Sequence, residues 1–231
     1  MTRNAIAKRG LQPIALNPTI PPLENGDRLT QAEFERRYDA MPNVKKAELI
    51  EGIVYMASPL RFKRHAEPHS SVMGWLFLYK AYTPGVGLGD NATVRLDPDN
   101  QAQPDALLRL EIGGGSTVSD DDYVEGAPEL IVEIAASSVS IDLHDKAKVY
   151  RRNQVQEYIV WRVEEVELDW FRLTEGEYSQ LKPNQVGIIK SEVFPGLWLD
   201  KEALLTGNLS RVIEILNQGL ATAEHREFVE G

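Results

Sequence analysis

ELIVEIA (129–135) is a short run in which only Glu129 and Glu133 are polar, and IDLHDKAKVYRRN (141–153) and QEYIVWRV (156–163) follow it. An unbroken apolar run of this length is the pattern of a strand buried on both faces. The second segment has the spacing of an amphipathic helix, and the third reads as the next buried strand. Working outward, VELDWFRLTEGEYSQLK (166–182) predicts a hairpin turning at Glu175–Gly176. LSRVIEILNQGL (209–220) predicts a last helix.

Upstream, NATVRL (91–96) and PDALLRL (104–110) predict strands joined by the turn signal DPDNQ. The polar stretch EIGGGSTVSDDDYVEGAP (111–128) reads as a long loop. HSSVMGWLFLYKAY (69–82) predicts a helix ended by Pro84, and AELIEGIVYMAS (47–58) a strand or hairpin. Thr30 and Glu33 in TQAE form a capping-box pattern ahead of a short helix over about 30–40. Residues 1–28, with Pro13, Pro18, Pro21 and Pro22, read as a loose arm, leaving 29–231 as one domain. The expected class is α/β, a mixed sheet flanked by helices.

Composition narrows the chemistry. The 231 residues contain no cysteine, so disulfides, thiolate zinc sites and cysteine nucleophiles are excluded. The four histidines show no HExxH spacing, and hard oxygen ligands then point to Mg²⁺ or Mn²⁺. No apolar run is long enough to span a bilayer and no signal peptide is evident, so the expected location is the cytoplasm, away from membranes. The formal net charge is −10, which argues against a broad nucleic-acid-coating surface. The charge is segregated, however. Arg61, Lys63 and Arg64 outweigh Glu67, and Lys146, Lys148, Arg151 and Arg152 outweigh Asp142 and Asp145.

Glu133 is the most informative position. A carboxylate among Leu130, Ile131, Val132, Ile134 and Ala135 needs a cation or donor partner, because burying it alone costs several kcal/mol. That partner is either a metal ion or a buried salt bridge to an arginine. Asp105 opens a second apolar strand directly after Pro104, and two carboxylates on adjacent strands can converge on one ion. Lys146 lies on the following helix with Asp142 and Tyr150 one turn to either side. It is either a solvated helix residue or a charge brought to the site. Glu48 is either a surface residue or a further acid. GGGST (113–117) lacks the lysine and the strand-to-helix context of a P-loop, and Ser137 and Ser138 lie in no GxSxG elbow. Trp161, Trp170 and Trp198 read as core.

ELIEG (48–52), His69, QPD (103–105), APELIVEIAASS (127–138), the Asp142/Lys146/Tyr150 helix and the EYIVW strand follow one another in an order that resembles the Uma2 family. This is a bacterial group of restriction-endonuclease-like proteins within the PD-(D/E)XK nuclease superfamily. The resemblance runs from about Leu29 to Leu199 and includes LTQAEF and FPGLWLD (194–200). It implies a restriction-endonuclease-like core and a metal held by Asp105, Glu133 and the main-chain carbonyl of Ile134. It also implies a helix-borne acid at Glu48. His69, Gln103 and Tyr150 would be substrate contacts or supports of the site. Ala135 stands where the wider superfamily has the lysine of E-x-K, and Lys146 resembles the relocated lysine of this family. The expected function is a Mg²⁺- or Mn²⁺-dependent endonuclease acting on DNA, working as a homodimer. The alternative is a catalytically silent nucleic-acid- or protein-binding module of the same fold; a third option is a phosphodiesterase acting on small nucleotides.

Overall fold

The computed structural model describes residues 20–231 apart from Ser58 and Ser137; most of the expected arm lies outside the described residues. The chain begins with helix α1 (Gln31–Asp39) and the hairpin β1 (Ala47–Ile50) and β2 (Ile53–Met56). A π-helical turn (Phe62–Ala66) leads into α2 (Glu67–Ala81). Then come β3 (Val86–Asp90), β4 (Val94–Asp97), β5 (Asn100–Ala102), β6 (Ala106–Leu110), β7 (Ser116–Val118), β8 (Val124–Gly126) and β9 (Leu130–Ala135). A second π-helical turn (Ile141–Lys146) runs into α3 (Ala147–Arg152), followed by β10 (Glu157–Arg162), β11 (Glu167–Thr174) and β12 (Glu177–Gln180). β13 (Ile188–Lys190), β14 (Trp198–Asp200), α4 (Lys201–Leu205), α5 (Leu209–Leu220) and α6 (Ala223–Glu230) complete it.

The central sheet has the order β12-β11-β10-β9-β6-β3, and a second sheet the order β2-β1-β5-β4-β8-β7. β9 and β10 pair in parallel, as the intervening helix requires, while β6 runs antiparallel to β9. All six residues of β9 are buried. Its two faces separate cleanly. Leu130, Val132 and Ile134 join Trp75, Leu76, Leu199 and Leu216 in one core, between the sheet and α2 and α5. Ile131 and Ala135 join Val149, Tyr150 and Tyr158 in another, on the α3 side. Glu133 therefore faces α3 and the second sheet. A smaller core of Phe34, Leu49 and Val54 seats α1 on the first hairpin.

Two expectations change. The stretch 111–128 is not a plain loop, because β7 and β8 form a hairpin within it, and β8 pairs in parallel with β4. Each strand is three residues long, and the hairpin is anchored to the sheet only through the pairing of β8 with the distant β4, so local pattern does not mark it. Thr30 does cap α1, its hydroxyl accepting from the Glu33 N–H at 3.4 Å. The Glu33 carboxylate instead turns to Arg36 and Arg37, so the reciprocal half of the capping box is absent. Among the described residues no helix is long and apolar enough to cross a membrane.

On the α2 side, the fully buried Glu157 pins the turn before β14. It accepts from the Trp170 indole (3.1 Å), the Ser191 hydroxyl (2.8 Å) and the Glu192 N–H (2.7 Å). Burial pushes its carboxyl up from 4.5 to about 7, against the pull of those donors. A group whose folded pKa is raised holds a proton that the unfolded chain has lost, so it contributes less stability as pH rises between the two values. Wild type should thus lose up to about 3 kcal/mol relative to Glu157→Gln between pH 5 and 8. Urea titrations of both proteins across that range check this, and parallel pH profiles would count against it.

Candidate active site

The alternation that points Glu133 toward α3 also aims it at the end of β6. Ala106 pairs with Val132, so Asp105, one residue before β6, lies beside Glu133. The Ile134 N–H donates to Asp105 Oδ2 at 2.7 Å. In an extended strand a residue's N–H and C=O share a side, so the Ile134 carbonyl faces Asp105 too. The Ala135 carbonyl faces the other way and accepts from the Val163 N–H.

Lys146 reaches the cluster from above β9. The π-helical turn widens the backbone so that Asp142 and Lys146 both point at the sheet, with Tyr150 a turn further on. Lys146 Nζ lies 2.9 Å from Glu48 Oε1, 2.9 Å from Glu133 Oε1 and 3.6 Å from Asp142 Oδ1. Tyr150 donates to the same Glu133 oxygen at 2.8 Å. Asp142 is itself held, accepting from the Ser138 hydroxyl through Oδ2, while Tyr158 donates to its main-chain carbonyl. Lys146 is 4% exposed, which rules out a solvated helix face. The partner of Glu133 is this lysine and not an arginine. Lys148, two residues on, is exposed and meets Glu51 at 3.4 Å.

Glu48 sits on strand β1, not on a helix as the family resemblance implied. It still reaches the cluster, because the second sheet packs over this end of β9; its Oε1 also accepts from the Gln103 N–H at 2.8 Å. The Gln103 side chain turns away and donates to the Asn91 carbonyl. His69 Nε2 meets the Asp105 main-chain carbonyl at 2.9 Å and Asp90 at 3.2 Å, so it braces the backbone carrying Asp105.

Two neighbours escaped the reading of the chain. His65 Nε2 donates to Asp105 Oδ1 at 3.2 Å, and Lys46 Nζ lies 3.4 Å from the same oxygen. Both left a faint trace. His65 precedes His69 by one helical turn, and Lys46 shares a strand face with Glu48.

Four buried carboxylates (Glu48, Asp105, Glu133, Asp142) thus face two ammonium groups. Burial would raise Asp105, but the His65 hydrogen bond, the Lys46 charge and the Ile134 N–H hold it well below the usual carboxylate range. Burial pushes Glu133 up against the pull of Lys146, and Asp142, Asp105 and Glu48 add to the rise. Burial likewise raises Asp142. Burial would lower Lys146, yet Glu133, Glu48 and Asp142 hold it firmly as an ammonium. The shifts at Glu133 and Lys146 pull one ion pair in opposite senses. With Glu48 and Asp142 also at hand, the lysine keeps its charge, and any proton the cluster takes up falls to Glu133.

Among the described residues no three carboxylate or imidazole groups stand close enough to hold an ion as they are placed. The donor set nonetheless fits a hard divalent cation. Its candidate ligands, the carboxylates and the Ile134 carbonyl, are all oxygens, and the four acids outnumber the two ammonium groups. Lys46, the ammonium nearest Asp105, is partly exposed and only 3.4 Å close, so an incoming ion can displace it. The cluster floors a cavity of about 660 Å³ whose rim includes Leu60, Arg61 and Arg64.

A family model described as "Uma2: Putative restriction endonuclease" matches residues 31–202. The chain belongs to the Uma2 family. A crystal structure titled as that of "a putative nuclease belonging to DUF820 from Anabaena variabilis ATCC 29413" is similar with a TM-score of 0.57. It is 14% identical and covers 74% of this chain and 96% of that one, a likeness of fold. No curated protein matches the chain. The Uma2 chain accordingly has a restriction-endonuclease-like α/β fold, with its acidic cluster where the central sheet meets the second sheet and α3.

Proposed function

We propose that this protein is a Mg²⁺- or Mn²⁺-dependent endonuclease that hydrolyses phosphodiester bonds in DNA. The observation that carries the reading is the buried acidic cluster with a lysine at its centre, opening into a cavity in a chain of the Uma2 family. Asp105, Glu133 and the Ile134 carbonyl would hold the ion. Bound there, it would supply a positive charge that screens the phosphate and makes a water more acidic. The chain's own residues do the rest. His65 and the Ile134 N–H fix the orientation of Asp105. Tyr150 fixes that of Glu133, and Glu48 and Asp142 fix the position of Lys146. Lys146 opposes negative charge developing on the phosphate, a task for which a preorganised buried ammonium is far stronger than one in water.

The engagement of Lys146 by three carboxylates is also what a silent, purely binding member would show. Cleavage assays on single-stranded, duplex and branched DNA with Mg²⁺, Mn²⁺ or EDTA separate the two. We expect cleavage with either metal and none in EDTA. Absence of turnover on every substrate, together with no Mn²⁺ uptake by calorimetry, would establish the silent reading.

A further inference from the structure

The segment Pro59–His65 forms one side of the cavity mouth, and its composition is unlike the floor. Leu60, which lines the cavity, and Phe62, two residues on beside Arg61, are 65% and 67% exposed, with Lys63 Nζ 5.7 Å from the centre of the Phe62 ring. Arg61 and Arg64 line the cavity between and beyond them. Arg64 is paired with Glu164 and Lys63 with Glu67, whereas Arg61 meets no carboxylate among the described residues. The other basic stretch of the chain is spent internally. Lys146 is buried, Lys148 and Arg152 meet Glu51, and Arg151 meets Glu177.

We infer that this rim binds a single strand of nucleic acid, with unpaired bases stacking on Phe62 and packing on Leu60 while a flanking phosphate is held by Arg61. The inference rests on the nuclease reading and names its substrate class. Three observations favour an unpaired strand over a duplex. The acids of the floor are buried, Glu133 and Asp105 being 2% and 3% exposed, at the base of a cavity of about 660 Å³. An unpaired strand can bend one phosphate down to such a floor without carrying a second strand with it. An exposed ring beside an arginine is the usual platform for base faces, which a duplex hides. Lastly, of the basic residues that line the cavity, Lys46, Arg64 and Lys146 meet carboxylates and Arg61 meets none among the described residues, one contact suited to a single phosphate, whereas a duplex is held by many phosphate contacts along a broad basic surface.

The test is fluorescence anisotropy with a labelled oligodeoxynucleotide, single-stranded or annealed to its complement. Each is run in EDTA and again with Ca²⁺, on wild type, Phe62→Ala, Arg61→Ala and, as a control, Phe77→Ala, whose ring is equally exposed on α2. We expect the single strand to bind at least about tenfold more tightly than the duplex, and Phe62→Ala to weaken it about tenfold with the salt dependence unchanged. Arg61→Ala should lower the salt slope by about 0.7, as loss of one phosphate contact to a single strand does. Phe77→Ala should bind like wild type. Equal or tighter binding of the duplex, no binding in either buffer, or an equal loss in Phe77→Ala overturns the inference. So does light scattering that shows Phe62→Ala dissociating an oligomer, since the rim would then join copies of the chain. Cleavage is scored separately. Strand binding as expected without turnover in Mg²⁺ or Mn²⁺ refutes the nuclease reading and leaves the rim standing; cleavage of duplex that Phe62→Ala does not slow refutes the rim alone.

Discussion

Replacing Lys146 by Met should destabilise the metal-free protein by about 3–5 kcal/mol at pH 8 and slow single-turnover cleavage by at least about 100-fold. The stability loss follows from what remains: Glu48, Glu133 and Asp142 keep their burial and lose their shared ammonium. Glu133 and Asp142, already raised by burial, are then pushed further up, so the folded state holds protons that the unfolded chain gives off. The loss should therefore shrink as pH falls toward about 4 and below, where the unfolded chain takes up these protons too. Metal affinity should hold or rise, because the variant no longer repels the ion. Lys148→Ala is the comparison, since that side chain is exposed and should change stability by less than about 0.5 kcal/mol and leave the chemical step alone. Urea unfolding in EDTA and rapid-quench cleavage at saturating Mg²⁺ read the two effects. If Lys148→Ala is the inactive variant, the assignment of the cation is wrong; a Lys146→Met protein that cleaves normally would remove the lysine from the mechanism.

The second large effect is expected at Glu133. Glu133→Gln should abolish cleavage, by at least about 10²–10³-fold, while melting no lower than wild type in EDTA. Burial and three neighbouring carboxylates already push this group toward its neutral form. The amide oxygen of glutamine can still accept from both Lys146 and Tyr150, the two donors that Glu133 Oε1 serves. Lys146 keeps Glu48 and Asp142 as counter-charges. Thermal unfolding beside the cleavage assay decides it. A variant that melts several degrees lower would mean that Glu133 serves chiefly as a structural ion-pair partner.

What could be read from the chain and what could not divides along the range of the interactions. Glu133 stands out because an acid flanked by leucine, isoleucine and valine breaks a local pattern, and the same pattern marks β9, β10 and the β11–β12 hairpin. Lys146 and Tyr150 follow from their spacing behind it. Lys46 and His65 meet Asp105 across 59 and 40 residues, and nothing in their own neighbourhoods requires it. The expected helix start at residue 69 falls two residues late, because a π-helical turn over 62–66 precedes α2 and helical periodicity does not register a widened turn. The helix-borne acid implied at Glu48 became a strand residue, since β1 owes its place to pairing with β2 and β5.

The contact between Gly196 and Gly219 bears on where the chain can be cut. Gly219 on α5 touches the Gly196 carbonyl so closely that a Cβ there would collide with it. The helix is thereby drawn down until Val212 and Leu216 cover Trp75 and Leu199. The family match ends at residue 202, before this helix begins. A protein shortened to that boundary would leave the floor of its main core open to water. It should be recovered from expression as aggregate, even though every residue of the acidic cluster is still present.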